Sequence, residues 1–261
     1  MSNFKFKKKY GQNFLKNPDV IIRMLKLVDL TKDDLVIEIG PGSGALTTKL
    51  LEKTRVIAYE IDMELKETLE AIKSNDLTII YDDFLKRNVK RDIGQISYRN
   101  LYLISNIPYY ITTPIILKVI DEELDVKKIV LMVQKELGER FAAPVGKNAS
   151  SITVLLNYYF DLKKEFLVGK NNFYPQPKVD SVIISLSKKS HLEILYDKDL
   201  FFNLIRDAFQ FKRKTIKNNL KKYDLEKIEK VLKKYNYDLT VRSENLDYKI
   251  FVEIANSLSS E

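Results

Sequence analysis

The segment from Ser105 to Pro114 reads SNIPYYITTP and follows the apolar run LYLI. It sets an amide, a proline and two phenol rings just beyond a core strand. An amide oxygen accepts an N–H, and a carbonyl near Pro108 is held in place by the fixed φ of the pyrrolidine ring. An aromatic face takes another flat ring by stacking. Asn106, Pro108 and Tyr109 together make a seat for a planar heterocycle with an exocyclic amino group. Two carbonyls that accept its N–H bonds turn the nitrogen lone pair out of the ring plane, towards an electrophile. Such a reaction runs on positioning and electrostatics and needs neither His nor Cys. The alternative is a plain Asn-Pro turn whose rings plug the domain floor.

A source of the electrophile is suggested upstream. VIEIGPGSGAL places Gly40, Gly42 and Gly44 between a strand and a helix, where glycine lets the backbone turn sharply and approach a ligand. Glu60 ends the next strand, at the position where a carboxylate accepts both hydroxyls of a ribose. The glycines also satisfy the dinucleotide pattern, so a pyrophosphate ligand stays open. Glu38 beside the loop, and Asp82 and Asp83 at the end of the third strand, favour a cationic adenosyl ligand, S-adenosylmethionine. One of those two aspartates is expected to receive the adenine amino group. Each acid taken alone is equally a capping or turn residue.

A second aromatic pair, Phe173 and Tyr174, precedes Pro175 and Pro177 in NNFYPQPKVDS. The prolines stiffen the loop, so that either ring can cover the face of a base opposite Tyr109. Clamping a base between rings is a common way to hold an unpaired nucleotide. The residues alone do not choose between the two rings, and a proline-rich bend between edge strands explains them as well.

These positions need a scaffold. Apolar runs at 35–40, 55–62, 77–83, 100–106 and 127–134 alternate with helical spacing at 17–30 and in the segments between. Several runs are solidly apolar, which predicts a mainly parallel sheet covered on both faces. Residues 150–161 and 178–187 read as further strands at an antiparallel edge. Beyond that the spacing is helical only. The expected organisation is a Rossmann-like α/β domain over 1–187 with a basic arm at 1–11, a linker at 188–197, and a small all-helical domain over 198–261.

Charge follows the same division. The net +8 comes from 44 basic and 36 acidic residues. It sits in two places: four Lys with no acid in 1–11, and 16 basic against 12 acidic residues in 188–261. The densest part, 206–222, holds seven basic residues and one acid, and Lys212, Arg213, Lys214 and Lys217 lie within it. Such a patch suits a polyphosphate backbone; a solvated helix face is the alternative. There is no Cys, and His191 is the single His, in a polar stretch. Disulfides, thiolate metal sites and Cys nucleophiles are thereby excluded, and no metal is expected. No apolar run approaches the roughly 18 residues of a membrane span, and the expectation is a cytoplasmic monomer.

YGQNFL (10–15), EIGPGSGALT (38–47), YEID (59–62), SNIPYYITTPI (105–115), MVQKELGERFAA (132–143), FYPQPKVDS (173–181) and AFQFKRKTIKNNL (208–220) occur in one order. In that order they resemble the ribosomal RNA adenine N6,N6-dimethyltransferases, and among these the small-subunit (16S) enzymes of the KsgA family. The likeness runs over nearly the whole chain. It implies a class I methyltransferase domain followed by a helical domain, and dimethylation of two adjacent adenosines near the 3′ end of small-subunit rRNA within an immature subunit. It further implies that Asn13, Leu15, Gly40, Glu60, Asp83 and Asn106 contact S-adenosylmethionine. Tyr109 and Phe173 would sandwich the target adenine beside Asn106 and Pro108. Lys212, Arg213, Lys214 and Lys217 would bind RNA. The alternatives are a large-subunit enzyme of the macrolide-resistance type and a largely non-catalytic assembly factor. Tyr110 departs from the Asn common at its position and is expected to serve packing or loop support.

Overall fold

The computed structural model describes residues 13–107, 109–146 and 148–259. The basic arm, Pro108 and the Tyr109 side chain lie outside the described residues. The contacts divide the chain into two compact units. One comprises the described residues up to Gly138 with Lys163–Lys188; the other comprises Glu139–Leu162 with the described residues from Lys189 on.

In the first unit, β1 (Phe14–Leu15) leads into α1 (Pro18–Leu25). Asn17 caps α1 by accepting the Asp19 N–H at 2.9 Å, and Pro18 occupies the first turn, where its missing N–H is not needed. Then come β2 (Leu35–Ile39), α2 (Ala45–Leu51), β3 (Arg55–Tyr59), α3 (Lys66–Glu70) and β4 (Leu77–Ile80). They are followed by α4 (Val89–Ile93), β5 (Leu101–Asn106), α5 (Thr112–Asp121), β6 (Val126–Gln134) and α6 (Lys135–Phe141). All five residues of β2 are buried, as are the first five of β5, because helices cover both faces. Each such Val, Leu or Ile adds about 1.5–3 kcal/mol of burial, which is why these runs carry no alternation.

The chain continues through α7 (Ser151–Tyr159), β7 (Phe160–Val168), β8 (Phe173–Tyr174) and β9 (Ser181–Lys188). The main sheet has the order β4-β3-β2-β5-β6-β9-β7. The pairs among β4, β3, β2, β5 and β6 are parallel, and β9 runs antiparallel to β6. The order reverses between β2 and β5, and ligands of open α/β sheets bind at such a switch point. A separate two-stranded ribbon pairs β1 with β8, Phe14 opposite Tyr174 and Leu15 opposite Phe173.

Residues 150–161 are not a strand. Ser151–Tyr159 forms α7, and the strand begins only at Phe160. The Ser150 N–H donates to Thr153 Oγ1 at 3.2 Å, half of a capping box that starts the helix. A short apolar run that is buried nearly all round reads alike as strand or helix, and the cap decides here. Residues 139–162 also group with the helical unit, which the expected 1–187 span does not anticipate.

The second unit contains α7, α8 (Lys198–Ala208), α9 (Ile216–Asn219), α10 (Leu225–Lys234) and α11 (Tyr248–Ser259). Tyr158 of α7 lies 5.1 Å from Phe201 of α8 and 6.3 Å from Tyr248 of α11, ring to ring. Its hydroxyl donates to the Glu193 carbonyl at 2.9 Å, so the phenol is satisfied inside an apolar cluster. Asp197 and Asp224 cap α8 and α10.

Candidate active site

A cavity of about 300 Å³ opens at the C-terminal ends of β2, β3, β4 and β5. Its glycine wall follows from backbone geometry. Gly40 has φ +66°, a left-handed value that a side chain resists, and the space a Cβ would fill there is open. Gly42 has φ +60°, and a Cβ on it would stand 2.7 Å from the Phe14 ring. The loop is therefore glycine for two reasons: the turn itself, and a ring from β1 packed against it.

Four carboxylates, Glu38, Glu60, Asp82 and Asp83, line the cavity, and among the described residues no Lys, Arg or His does. Glu38 is buried, and the Thr47 hydroxyl donates to its Oε2 at 2.7 Å. Burial pushes its carboxyl up to about 8, the Thr47 bond opposes this, and the nearby Glu60 adds to it. Glu60 is buried as well. Its Oε1 accepts the Asp62 N–H at 2.8 Å and its Oε2 the Gly42 N–H at 3.2 Å. Burial raises its carboxyl too, against those backbone bonds. Asp83 Oδ1 caps the turn at Phe84–Lys86 by accepting the Leu85 N–H at 3.0 Å. Asp82 Oδ2 stands 3.6 Å from Arg87.

Asn106, the last residue of β5, lies on the wall of this same cavity. Ser105 fixes the strand end: its Oγ accepts the Ile39 N–H at 2.6 Å and donates to the Ile39 carbonyl at 2.7 Å. One buried hydroxyl thus stitches β5 to β2 across the switch point.

The structure brings Asn13, Leu15, Gly40, Glu60, Asp83 and Asn106 to one cavity wall. Tyr109 opens a short 3-10 turn, Tyr109–Ile111. Tyr110 is 64% exposed and borders the cavity. Phe173 departs from its expected place. It is 2% exposed and packs into the core with Val20, Met24 and Val168, so it offers no open ring face. The physical cause is register. Phe14 and Tyr174 are paired on one face of the ribbon, and Leu15 and Phe173 on the other. The second face turns towards the core, and Tyr174 is left 55% exposed with Lys16 Nζ 4.7 Å from its ring centre. Lys212, Arg213, Lys214 and Lys217 lie in the second unit and are exposed. Phe14 and Ser105 have site roles that residue types alone do not reveal, because both act through backbone neighbours distant in sequence.

The donor set suits a ligand with positive charge, vicinal hydroxyls and a flat ring. A pyrophosphate would meet four carboxylates and, among the described residues, no cation on the cavity wall. Among the described residues no group of three or more His, Cys, Asp or Glu could hold a metal ion, and no helix is long and apolar enough to cross a membrane.

A family model described as ribosomal RNA adenine dimethylase matches residues 3–260. The chain belongs to that family. It is 40% identical to ribosomal RNA small subunit methyltransferase A of Clostridium acetobutylicum, over 98% of this chain and 95% of the relative. It is 36% identical to the protein of that name from Geobacillus kaustophilus, over 98% and 92%. A solved dimethyladenosine transferase from Plasmodium falciparum superposes with a TM-score of 0.74 at 30% identity, covering 92% of this chain and 95% of that one. The 23S rRNA methyltransferase ErmE superposes with a TM-score of 0.73 at 23% identity, a likeness of fold. The chain is an rRNA adenine dimethyltransferase with the Rossmann-like sheet and helical C-terminal region of its family.

Proposed function

We propose that this enzyme dimethylates N6 of two adjacent adenosines near the 3′ end of small-subunit (16S) rRNA, with S-adenosylmethionine as methyl donor. We place its action on an immature small subunit, as a cytoplasmic monomer. The observation that carries this reading is the placement of Asn106 on the wall of a cavity that holds four carboxylates and, among the described residues, no basic side chain. Relatives at 36% and 40% identity named for the small subunit support that substrate over the large subunit.

When bound, S-adenosylmethionine supplies a methyl group on a positively charged sulfur. Asn13, Leu15, Gly40, Glu60, Asp83 and Asn106 would hold it. Glu60 would accept the vicinal hydroxyls through the lone pairs left on its two oxygens, which the Asp62 and Gly42 N–H groups hold in orientation. The Asn106 carbonyl and the carbonyl near Pro108 accept the N–H bonds of the adenine amino group. Tyr109 stacks on the base, which must leave its helix to enter. No buried base is required, because the amine proton turns acidic once the nitrogen is alkylated. The buried Phe173 supports the ribbon from beneath, and base stacking is given to Tyr109.

A second role, occupation of the assembling subunit, is favoured by the exposed basic residues of 206–222. Incubation with a labelled methyl donor and undermethylated small subunits of matching origin should yield N6,N6-dimethyladenosine. Absence of label in that nucleoside would refute the proposal.

A further inference from the structure

The loop between α8 and α9 reads FQFKRKT, from Phe209 to Thr215. Its two phenylalanines have opposite fates. Phe209 turns inward, 5.9 Å from the Phe251 ring of α11. Phe211 is 56% exposed, although the fold gains nothing from a phenyl ring in water. The loop around it is held in shape. Asn219, 7% exposed, donates through Nδ2 to the Ala208 carbonyl at 2.6 Å and to the Phe211 carbonyl at 3.2 Å. The Lys214 N–H also donates to the Phe211 carbonyl, at 3.0 Å. Ser243 donates to the Ala208 carbonyl as well. The backbone under Phe211 is therefore anchored from α9 and from the segment before α11.

The charges around it are one-sided. Asp207 is the single acid of 206–222, and it is engaged elsewhere. Lys222 lies 2.8 Å from it, Arg206 3.7 Å, and the Tyr223 hydroxyl donates to it at 2.6 Å. Lys212, Arg213, Lys214 and Lys217 are exposed and have no carboxylate partner among the described residues. The cores of protein interfaces are depleted of lysine, whereas single-stranded nucleic acid is held by cations on the phosphates and a ring under a base.

We infer that Phe211 is a stacking platform for an unpaired base of the RNA whose phosphates meet Lys212, Arg213, Lys214 and Lys217. This rests on the reading that the chain acts on small-subunit rRNA. It adds a contact outside the first unit's cavity, and the contact is with a nucleotide other than the one methylated.

The probe is the undermethylated small subunit. Phe211→Ala should weaken binding about tenfold, and Phe211→Tyr should restore it. Neither should alter the slope of log affinity against log salt, since no phosphate contact is removed. Phe211 replaced by photoreactive p-azidophenylalanine should crosslink to rRNA at an unpaired nucleotide. Crosslinking to a ribosomal protein, or unchanged binding by Phe211→Ala, would overturn the inference while wild-type methylation of the subunits keeps the enzymatic reading intact. Wild-type protein that neither binds nor methylates subunits would overturn both.

Discussion

The cavity of the first unit and the α8–α9 loop of the second unit present groups of opposite charge: acids line the one, and cations crowd the other. The cavity sets four carboxylates around about 300 Å³ and, among the described residues, no basic side chain. The loop sets four cations beside an exposed ring without a free carboxylate. Groups of like charge set side by side repel one another, so both arrangements point to ligands of the opposite sign. The two differ in burial. Glu38 and Glu60 are buried away from water and salt, where the attraction for a small cation placed beside them is strong. The loop cations are in water, screened by salt, and suit a long polyanion read by its phosphates.

That contrast can be broken one side at a time. The largest effect belongs to the cavity. Asn106→Ala should lower kcat about a hundred- to a thousandfold in the labelled-subunit assay, with S-adenosylmethionine affinity far less affected. Retained turnover would remove Asn106 from the reaction. On the loop, reversing Lys212, Arg213 and Lys214 to Glu should weaken subunit binding by about two orders of magnitude at low salt. It should also flatten the salt dependence by about three phosphate contacts. Cofactor affinity, measured by calorimetry, should not move, since these residues border no part of the cavity. Glu60→Gln should cost about tenfold in cofactor affinity, the range for a hydrogen bond to a charged group. Its subunit affinity in the absence of cofactor should match wild type.

The smallest effect sharpens the electrostatic side. The Glu38 carboxyl is raised from 4.5 to about 8 by burial. A carboxyl raised on folding favours the native state while it keeps its proton, so this contribution is full below 4.5 and is lost as pH rises through 8. Without ligand, Tm should fall between pH 6 and 8, and Glu38→Gln should flatten that fall. A bound cation favours the ionised form, so cofactor affinity should rise a few-fold over the same interval in wild type and not in Glu38→Gln. A parallel pH profile in both proteins would detach Glu38 from the cavity's charge.

The legible parts of the chain were those whose chemistry is local. A strand, a left-handed glycine turn and an acid ending the next strand are neighbours in sequence, so Gly40 and Glu60 stand out. Asn106 stands out because an amide and a proline at a strand end are costly without use. The contributions that escaped depend on distant partners. Which of Phe173 and Tyr174 is buried is set by pairing with Phe14 and Leu15, and a shift of one residue exchanges the faces. Ser105 matters through the Ile39 backbone, 66 positions away. The strand expected at 150–161 failed because burial on nearly every side hides the period of α7.

The β1–β8 ribbon also sets a timetable for synthesis. β1 is held by residues made more than a hundred positions later. Beyond the strand pairing, the Lys16 N–H donates to the Asn172 carbonyl at 2.8 Å, and the Asn17 side chain donates to that of Asn172 at 2.9 Å. A nascent chain that has just completed β5 already owns its glycine loop, Glu60 and Asn106. Asn13 and Leu15 gain their clasp only when Tyr174 emerges. That wall of the cavity is therefore complete only after about two thirds of the polypeptide has been made.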